Sequence, residues 1–296
     1  MGRRNLVLDR HKAVTSTVLP MLGQTVETFV NYADETDLDM QWRQWFATDP
    51  LQGGLKGSLY DILNLVSAHD LPTDTSDIPA SDFMAATWAN ILPEYKGARV
   101  RVSREILQKD PMTTVNAIIV AIRYALEVKK SQLAYTATQA AITSANSSGY
   151  TTAYTGSSVV RTINVGRTAL IQRNFNKGYG LSGTTPCILV ANEAHRDLIE
   201  AAFMITVNSL INSSNGTFIV QYPISRVYTY NLAADLGISG TKCALILPSR
   251  KNRFGIFNDP RIESYLKQDN NAMQVDGREA YNWITEDDQF QVLTIA

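Results

Sequence analysis

The sequence predicts an α+β fold, organised by one very long helix and completed by several short strands. Three observations carry that reading. From Asp110 to Gly149 no glycine or internal proline follows Pro111, and Val115, Ile118, Ile119, Ile122, Leu126, Leu133 and Ala140 recur at helical spacing. In the second half, helical patterns alternate with apolar runs too short for helices and bounded by turn residues. Finally, 45% of the 296 residues are hydrophobic and 19% charged, a composition that builds a sizeable core and argues against wholesale disorder.

Residues 1–57 read as a weakly structured N-terminal arm. Val14, Val18, Leu22, Val26 and Phe29 form short amphipathic pieces, Asp34, Glu35, Asp37 and Asp39 interrupt them, and Gln52-Gly53-Gly54-Leu55-Lys56-Gly57 breaks the chain. Trp42, Trp45 and Phe46 precede that break. Rings of this size need a surface to bury against, on another subunit or in this chain's own core.

Residues 58–110 are mixed. Leu71-Pro72-Thr73-Asp74-Thr75-Ser76-Asp77-Ile78-Pro79 is loop-like, and Gly97-Ala98-Arg99-Val100-Arg101-Val102-Ser103 alternates apolar and charged residues as a half-exposed strand does. Asp110 suits an N-cap and Pro111 the first helical position, so the long helix starts there and ends at Ser147-Ser148-Gly149. At about 1.5 Å per residue it is roughly 50 Å long, and without sustained heptads it reads as a spine against a sheet. A helix is expected over 159–176, a strand over 186–191, a helix over 193–210, and strands over 226–230, 243–247 and 254–257. Residues 281–295 read as two strands joined by the acidic turn Glu286-Asp287-Asp288.

The chemistry-bearing residue types form no recognisable motif. Gly237-Ile238-Ser239-Gly240-Thr241-Lys242 has too few residues between its glycines for a phosphate loop, and no serine sits in a nucleophile elbow. His195 in Glu193-Ala194-His195 lacks the second histidine of a zinc-protease helix and reads as a surface or capping residue; His11 and His69 stand alone. The acidic clusters at 34–39 and 286–288 lack calcium-loop spacing and are expected to be solvated turns. Cys187 and Cys243, each inside an apolar run, are expected to be buried small hydrophobes. No metal, no cofactor and no catalytic residue is expected. Lys and Arg number 27 against 28 Asp and Glu, a formal charge of −1, which gives no bulk attraction to nucleic acid or anionic lipid. The best local cationic cluster is Arg250-Lys251-Asn252-Arg253, a solvated turn or a weak phosphate contact. No signal-peptide core or membrane-length apolar run appears, so a cytosolic chain that does not engage a membrane is expected.

One ordered set of features resembles a known family. Lys96-Gly97-Ala98-Arg99-Val100-Arg101-Val102-Ser103-Arg104-Glu105-Ile106-Leu107-Gln108-Lys109-Asp110 looks like the strand that runs into Val-Ser-Arg-Glu-Ile-Leu, an aspartate and a long helix in tailed-bacteriophage major capsid proteins. Ile188-Leu189-Val190-Ala191-Asn192-Glu193-Ala194-His195-Arg196-Asp197-Leu198 resembles that family's axial domain. Gly277-Arg278-Glu279-Ala280-Tyr281 through Phe290-Gln291-Val292-Leu293-Thr294-Ile295-Ala296 is similar to its closing strands. The family has the Hong Kong ninety-seven type capsid fold.

The resemblance implies an N-terminal arm (1–57), an extended E-loop hairpin region (58–110), a peripheral domain with the spine helix (111–149) and further strands (256–287). It also implies an axial domain with a mixed central sheet (150–255), to which a C-terminal strand (288–296) returns. The function implied is a non-enzymatic shell subunit that assembles with itself, in hexamers and pentamers, into an icosahedral virion capsid enclosing double-stranded DNA. Assembly would proceed in the host cytoplasm with scaffold and portal proteins. Trp42, Trp45, Lys96, Arg99 and Arg101 are the candidate intersubunit contacts, and Arg250, Lys251 and Arg253 the candidate weak DNA contacts. An encapsulin-type nanocompartment shell would share the fold. An α/β enzyme with an unrecognised site is the reading from another class.

Overall fold

The computed structural model describes residues 38–50, 57–60, 88–103, 111–154, 158–176, 185–211, 224–267 and 272–295. The strands, in chain order, are β1 (Phe46–Pro50), β2 (Gly57–Tyr60), β3 (Trp88–Ile91), β4 (Glu94–Ser103), β5 (Thr151–Thr152), β6 (Cys187–Asn192), β7 (Ile224–Thr229), β8 (Cys243–Ile246), β9 (Ser249–Lys267), β10 (Ala272–Ile284) and β11 (Phe290–Leu293). The helices are α1 (Pro111–Ser147), α2 (Val159–Asn176) and α3 (Arg196–Ile211). The chain divides into two compact units. Pro93–Leu133 and Ile256–Tyr281 fall in the first, and Ala134–Gly255 and Asn282–Ala296 in the second.

α1 is the expected long helix, 37 residues from Pro111. It ends where Gly149 takes φ 76°, a left-handed conformation that costs glycine little. Tyr150 N–H then donates to Ala145 O (2.9 Å) and Gly149 N–H to Asn146 O (3.0 Å), which satisfies carbonyls the helix end would orphan.

In the first unit, β4 pairs antiparallel with β10, from Ala272 opposite Ser103 to Tyr281 opposite Glu94. Strand alternation turns Ala98, Val100 and Val102 toward α1, where they join Met273, Val275, Val115, Ile118, Ile119, Ile122 and Leu126 in one core. Gly277 sits directly beneath the helix: a Cβ there would overlap Ile122 Cγ2. The resemblance puts the strand 97–103 in an extended hairpin region that carries candidate intersubunit contacts. The strand belongs to this chain's own sheet, because β10 supplies its backbone partner and α1 covers its apolar face. The short pair β2–β3 joins Gly57–Tyr60 to Trp88–Ile91, and the residues between lie outside the described ones.

The second unit holds a five-stranded mixed sheet in the order β5-β11-β8-β6-β7. β6 is parallel to β7, antiparallel to β8, and buried along its whole length. α2 and α3 supply Val159, Ile163, Leu170 and Ile199 to a core with Leu189, Leu245, Leu247, Leu293 and Ile295. Cys187 and Cys243 lie in it as free buried thiols, and burial raises the Cys187 pKa to about 11. The second half therefore forms the elements its pattern predicts, with β9 extending well past 254–257.

The arm does not remain unstructured through residue 57. Gln41–Gln44 forms a 3-10 turn and Phe46–Pro50 a strand, in a sheet of order β1-β9-β10-β4. Trp42 packs against Phe254 (centroids 5.2 Å apart), which stacks on Trp283 (5.1 Å). Trp45 donates from Nε1 to Thr138 Oγ1 (3.1 Å). Both indoles are only 1% exposed, so of the two surfaces left open they use this chain's own core.

Candidate assembly surface

The outward face of β4 carries two of the charged candidates, Arg99 and Arg101, whereas Lys96 has the parity of the core-facing residues. Residues 95, 99 and 101 alternate with the core-facing valines, and Arg99 lies opposite Asp276 on β10. Its guanidinium makes a bidentate pair with that carboxylate, Nε to Oδ1 at 2.7 Å and Nη2 to Oδ2 at 2.8 Å. Asp276 is buried, and it also accepts from Gln274 Nε2 (3.1 Å) and from Arg278 Nη2 (3.4 Å). Such a fork holds both groups in place, because a carboxylate stripped of water needs its donors. Lys96 pairs with Glu94 at 2.8 Å. Arg101 and Tyr95 are exposed. Arg99 thus braces the sheet within the chain while its side chain stays half-exposed, and Arg101 is exposed as well.

A second ionic cluster lies inside the first unit and had no sequence signal. Lys130 Nζ is 2.7 Å from Glu127 Oε1, 3.1 Å from Glu279 Oε2, and 5.5 Å from the Tyr281 ring centroid. Burial holds the Glu279 carboxyl above its ordinary pKa, and Lys130 pulls it part of the way back. Burial and then the Glu279 charge raise the Tyr281 phenol.

The acidic turn 286–288 is only partly solvated: Glu286 and Asp287 are half-buried and Asp288 is buried. Lys251 Nζ pairs with Glu286 (2.8 Å) and more distantly with Asp288 (3.4 Å), whose side chain is 3% exposed. Gln289 Nε2 donates to Asp288 Oδ1 (2.6 Å) and to Asn174 Oδ1 (2.7 Å), and Asn174 Nδ2 donates to Asp288 O (3.0 Å). Arg173 lies 3.7 Å over the Tyr150 ring and donates to Phe290 O. This network ties α2 to the entry of β11. Lys251 is paired within this network. Arg253 also has interactions within the chain. The Arg250 side chain lies outside the described residues, as do His11, His69 and the acidic residues 34–37.

Elsewhere the geometry is that of a scaffold. His195 Nε2 contacts Ala234 O at 2.7 Å, a local tie between two turns. No group of three or more His, Cys, Asp or Glu residues that could hold a metal occurs among the described residues, and none of the described helices is long and apolar enough to cross a membrane. A cavity of about 590 Å³ runs along the outer face of α2, lined by residues such as Val160, Arg161, Asn164 and Val165. It gathers no acid–base pair.

Comparison with known proteins agrees with this picture. The profile of the phage capsid protein family matches residues 91–292, more than half of the chain. Among solved structures, the chain superposes on the mature capsid of bacteriophage PhiM1 with a TM-score of 0.55 at 13% identity, covering 88% of each chain. The capsid of cyanophage P-SCSP1u gives 0.57 at 10% identity, covering 86% of this chain and 88% of that one. The capsid of an empty GTA particle gives 0.53 at 10% identity, covering 88% and 91%. The sequence has no match among curated proteins. At such identities the superpositions establish the fold alone, that of Hong Kong ninety-seven type capsid proteins, while the profile match establishes kinship: the chain belongs to the phage capsid protein family.

Proposed function

We propose that this chain is the major capsid protein of a tailed bacteriophage, assembling in the host cytoplasm into an icosahedral shell of hexamers and pentamers around double-stranded DNA. The observation that carries the reading is the family match over residues 91–292, which spans strands and helices of both compact units. The side-chain chemistry supports it. Buried charges are committed to pairs that brace sheets and helices, and large apolar side chains such as Tyr95, Phe175 and Tyr230 stay exposed, as a subunit that gains area from neighbours requires. Scaffold and portal proteins are the expected assembly partners. In the shell, Arg101 meets an acidic neighbour. Contact with DNA is weak, independent of base sequence and salt-sensitive.

The test is expression of the full chain alone and with its neighbouring late genes, followed by electron microscopy and analysis of shell contents. Closed shells that package double-stranded DNA support the reading. Shells that enclose a protein cargo and no DNA would show an encapsulin-type compartment, and a strict monomer under all these conditions would refute shell assembly.

A further inference from the structure

Two guanidinium groups on the outward face of the β4–β10 pair share one anion. Arg99 Nη2 lies 2.8 Å and Arg278 Nη2 3.4 Å from the same oxygen, Asp276 Oδ2, so the two cations stand side by side over a buried carboxylate. Strand alternation puts Arg101 on this face as well, opposite Gln274 and two residues from Arg99. All three remain open to solvent: the side chains of Arg99 and Arg278 are 50% and 63% exposed, and Arg101 is exposed.

The single charge of Asp276 is engaged by the bidentate Arg99 fork. Arg278 therefore holds only the longer share of it, and Arg101 has no ion pair among the described residues. On the neighbouring strand β9, Ile262 packs toward the core, which turns Arg261 and Glu263 outward; these add one charge of each sign. The face keeps a surplus of positive charge on guanidinia that Asp276 has already positioned. Donors held in advance lose less freedom when a second carboxylate arrives, and a planar guanidinium suits it.

The surroundings favour a protein carboxylate over a duplex phosphate. Tyr95 shares this face, 68% exposed, and none of the outward positions of β4 and β10 is a lysine. Arginine and tyrosine are enriched in protein interfaces while lysine is depleted, whereas a phosphate backbone is met by either cation and asks for no aromatic ring. A chain of formal charge −1 that concentrates positive charge here carries its acid elsewhere, so a second copy supplies the complement. Two copies of the face itself repel each other, which excludes a two-fold contact through it and leaves a head-to-tail one, the kind that closes into rings.

We propose that this arginine face binds a carboxylate-bearing surface of a second copy, head to tail. The proposal rests on the shell reading and names the chemistry of one of its contacts.

The test uses the full chain under conditions in which the parent forms shells. Arg101→Glu combined with Arg278→Gln should leave the thermal melt unchanged, because Asp276 keeps the Arg99 fork and Gln274. It should raise the protein concentration needed for shell formation at least about tenfold, since a carboxylate then faces a carboxylate. Arg101→Lys keeps the charge and gives an independent readout. In its shells, carbodiimide coupling should join the introduced amine to an aspartate or glutamate of another chain, located by mass spectrometry of the crosslinked peptides. A double variant that assembles at the parent's concentration, or shells that yield no interchain amide at position 101, overturn the proposal. So does a double variant that assembles normally but retains less DNA, which would show the face meeting phosphate. A parent that forms no shell under any condition refutes the shell reading itself, and the proposal falls with it.

Discussion

Lys130→Met should expose how the first unit handles its buried charge. The substitution keeps the apolar stem and removes the ammonium 2.7 Å from Glu127 and 3.1 Å from Glu279. Breaking a buried pair by deleting one partner costs about 3–5 kcal/mol, because the remaining charge stays without water or counterion. Here Arg123 still acts on Glu279, which favours the lower end, about 3 kcal/mol. The pH dependence has a definite sign. Glu279 already has a folded pKa above its unfolded value, near 4.3, so the folded state binds the extra proton and stability falls as pH rises from about 4.3 through the raised value. Without Lys130 that pKa climbs further, so the deficit relative to the parent should be small near pH 4.5 and full at pH 7. Urea midpoints at pH 4.5, 5.5 and 7 measure it, and adding Glu279→Gln to Lys130→Met should recover part of the loss. A deficit that is absent at pH 7, or larger in acid than at neutrality, would refute the reasoning.

Three further outcomes follow from the packing. Gly277→Ala should cost about 1–3 kcal/mol by forcing α1 off β10, with Ile122→Ala in the same chain recovering part of it, as thermal melting would show. Val102→Asp should destroy folding of the first unit rather than only shell assembly, because Val102 is 7% exposed in the core beneath α1; loss of the cooperative melt is the readout. Trp45→Phe should cost about 2 kcal/mol, through the lost bond to Thr138, whose hydroxyl still donates to Ala134 O at 2.9 Å, and through the void left by the smaller ring at a buried site; a denaturant midpoint measures the change.

The sequence by itself determined what depends on neighbours along the chain. The extent of α1 was legible because its apolar periodicity and the glycine that ends it are each read from residues a turn or two apart. The strands of the second unit and the burial of Cys187 and Cys243 were legible because short apolar runs between turns have few other uses. The resemblance to phage capsid proteins was carried by ordered local pieces of the same kind.

Tertiary structure alone decided the partners. Alternation in 97–103 says that one face is buried, not whether β10 or another subunit supplies the edge, and the Arg99–Asp276 pair joins residues 177 positions apart. Trp42 and Trp45 announced a need for cover without naming Phe254, Trp283 or Thr138. Lys251 read as part of a solvated turn or a weak phosphate contact, and only the fold placed Glu286 beside it. A side chain's type sets its desolvation cost, and that is written locally. The group that offsets the cost comes from wherever the chain returns, and only the folded arrangement holds that information.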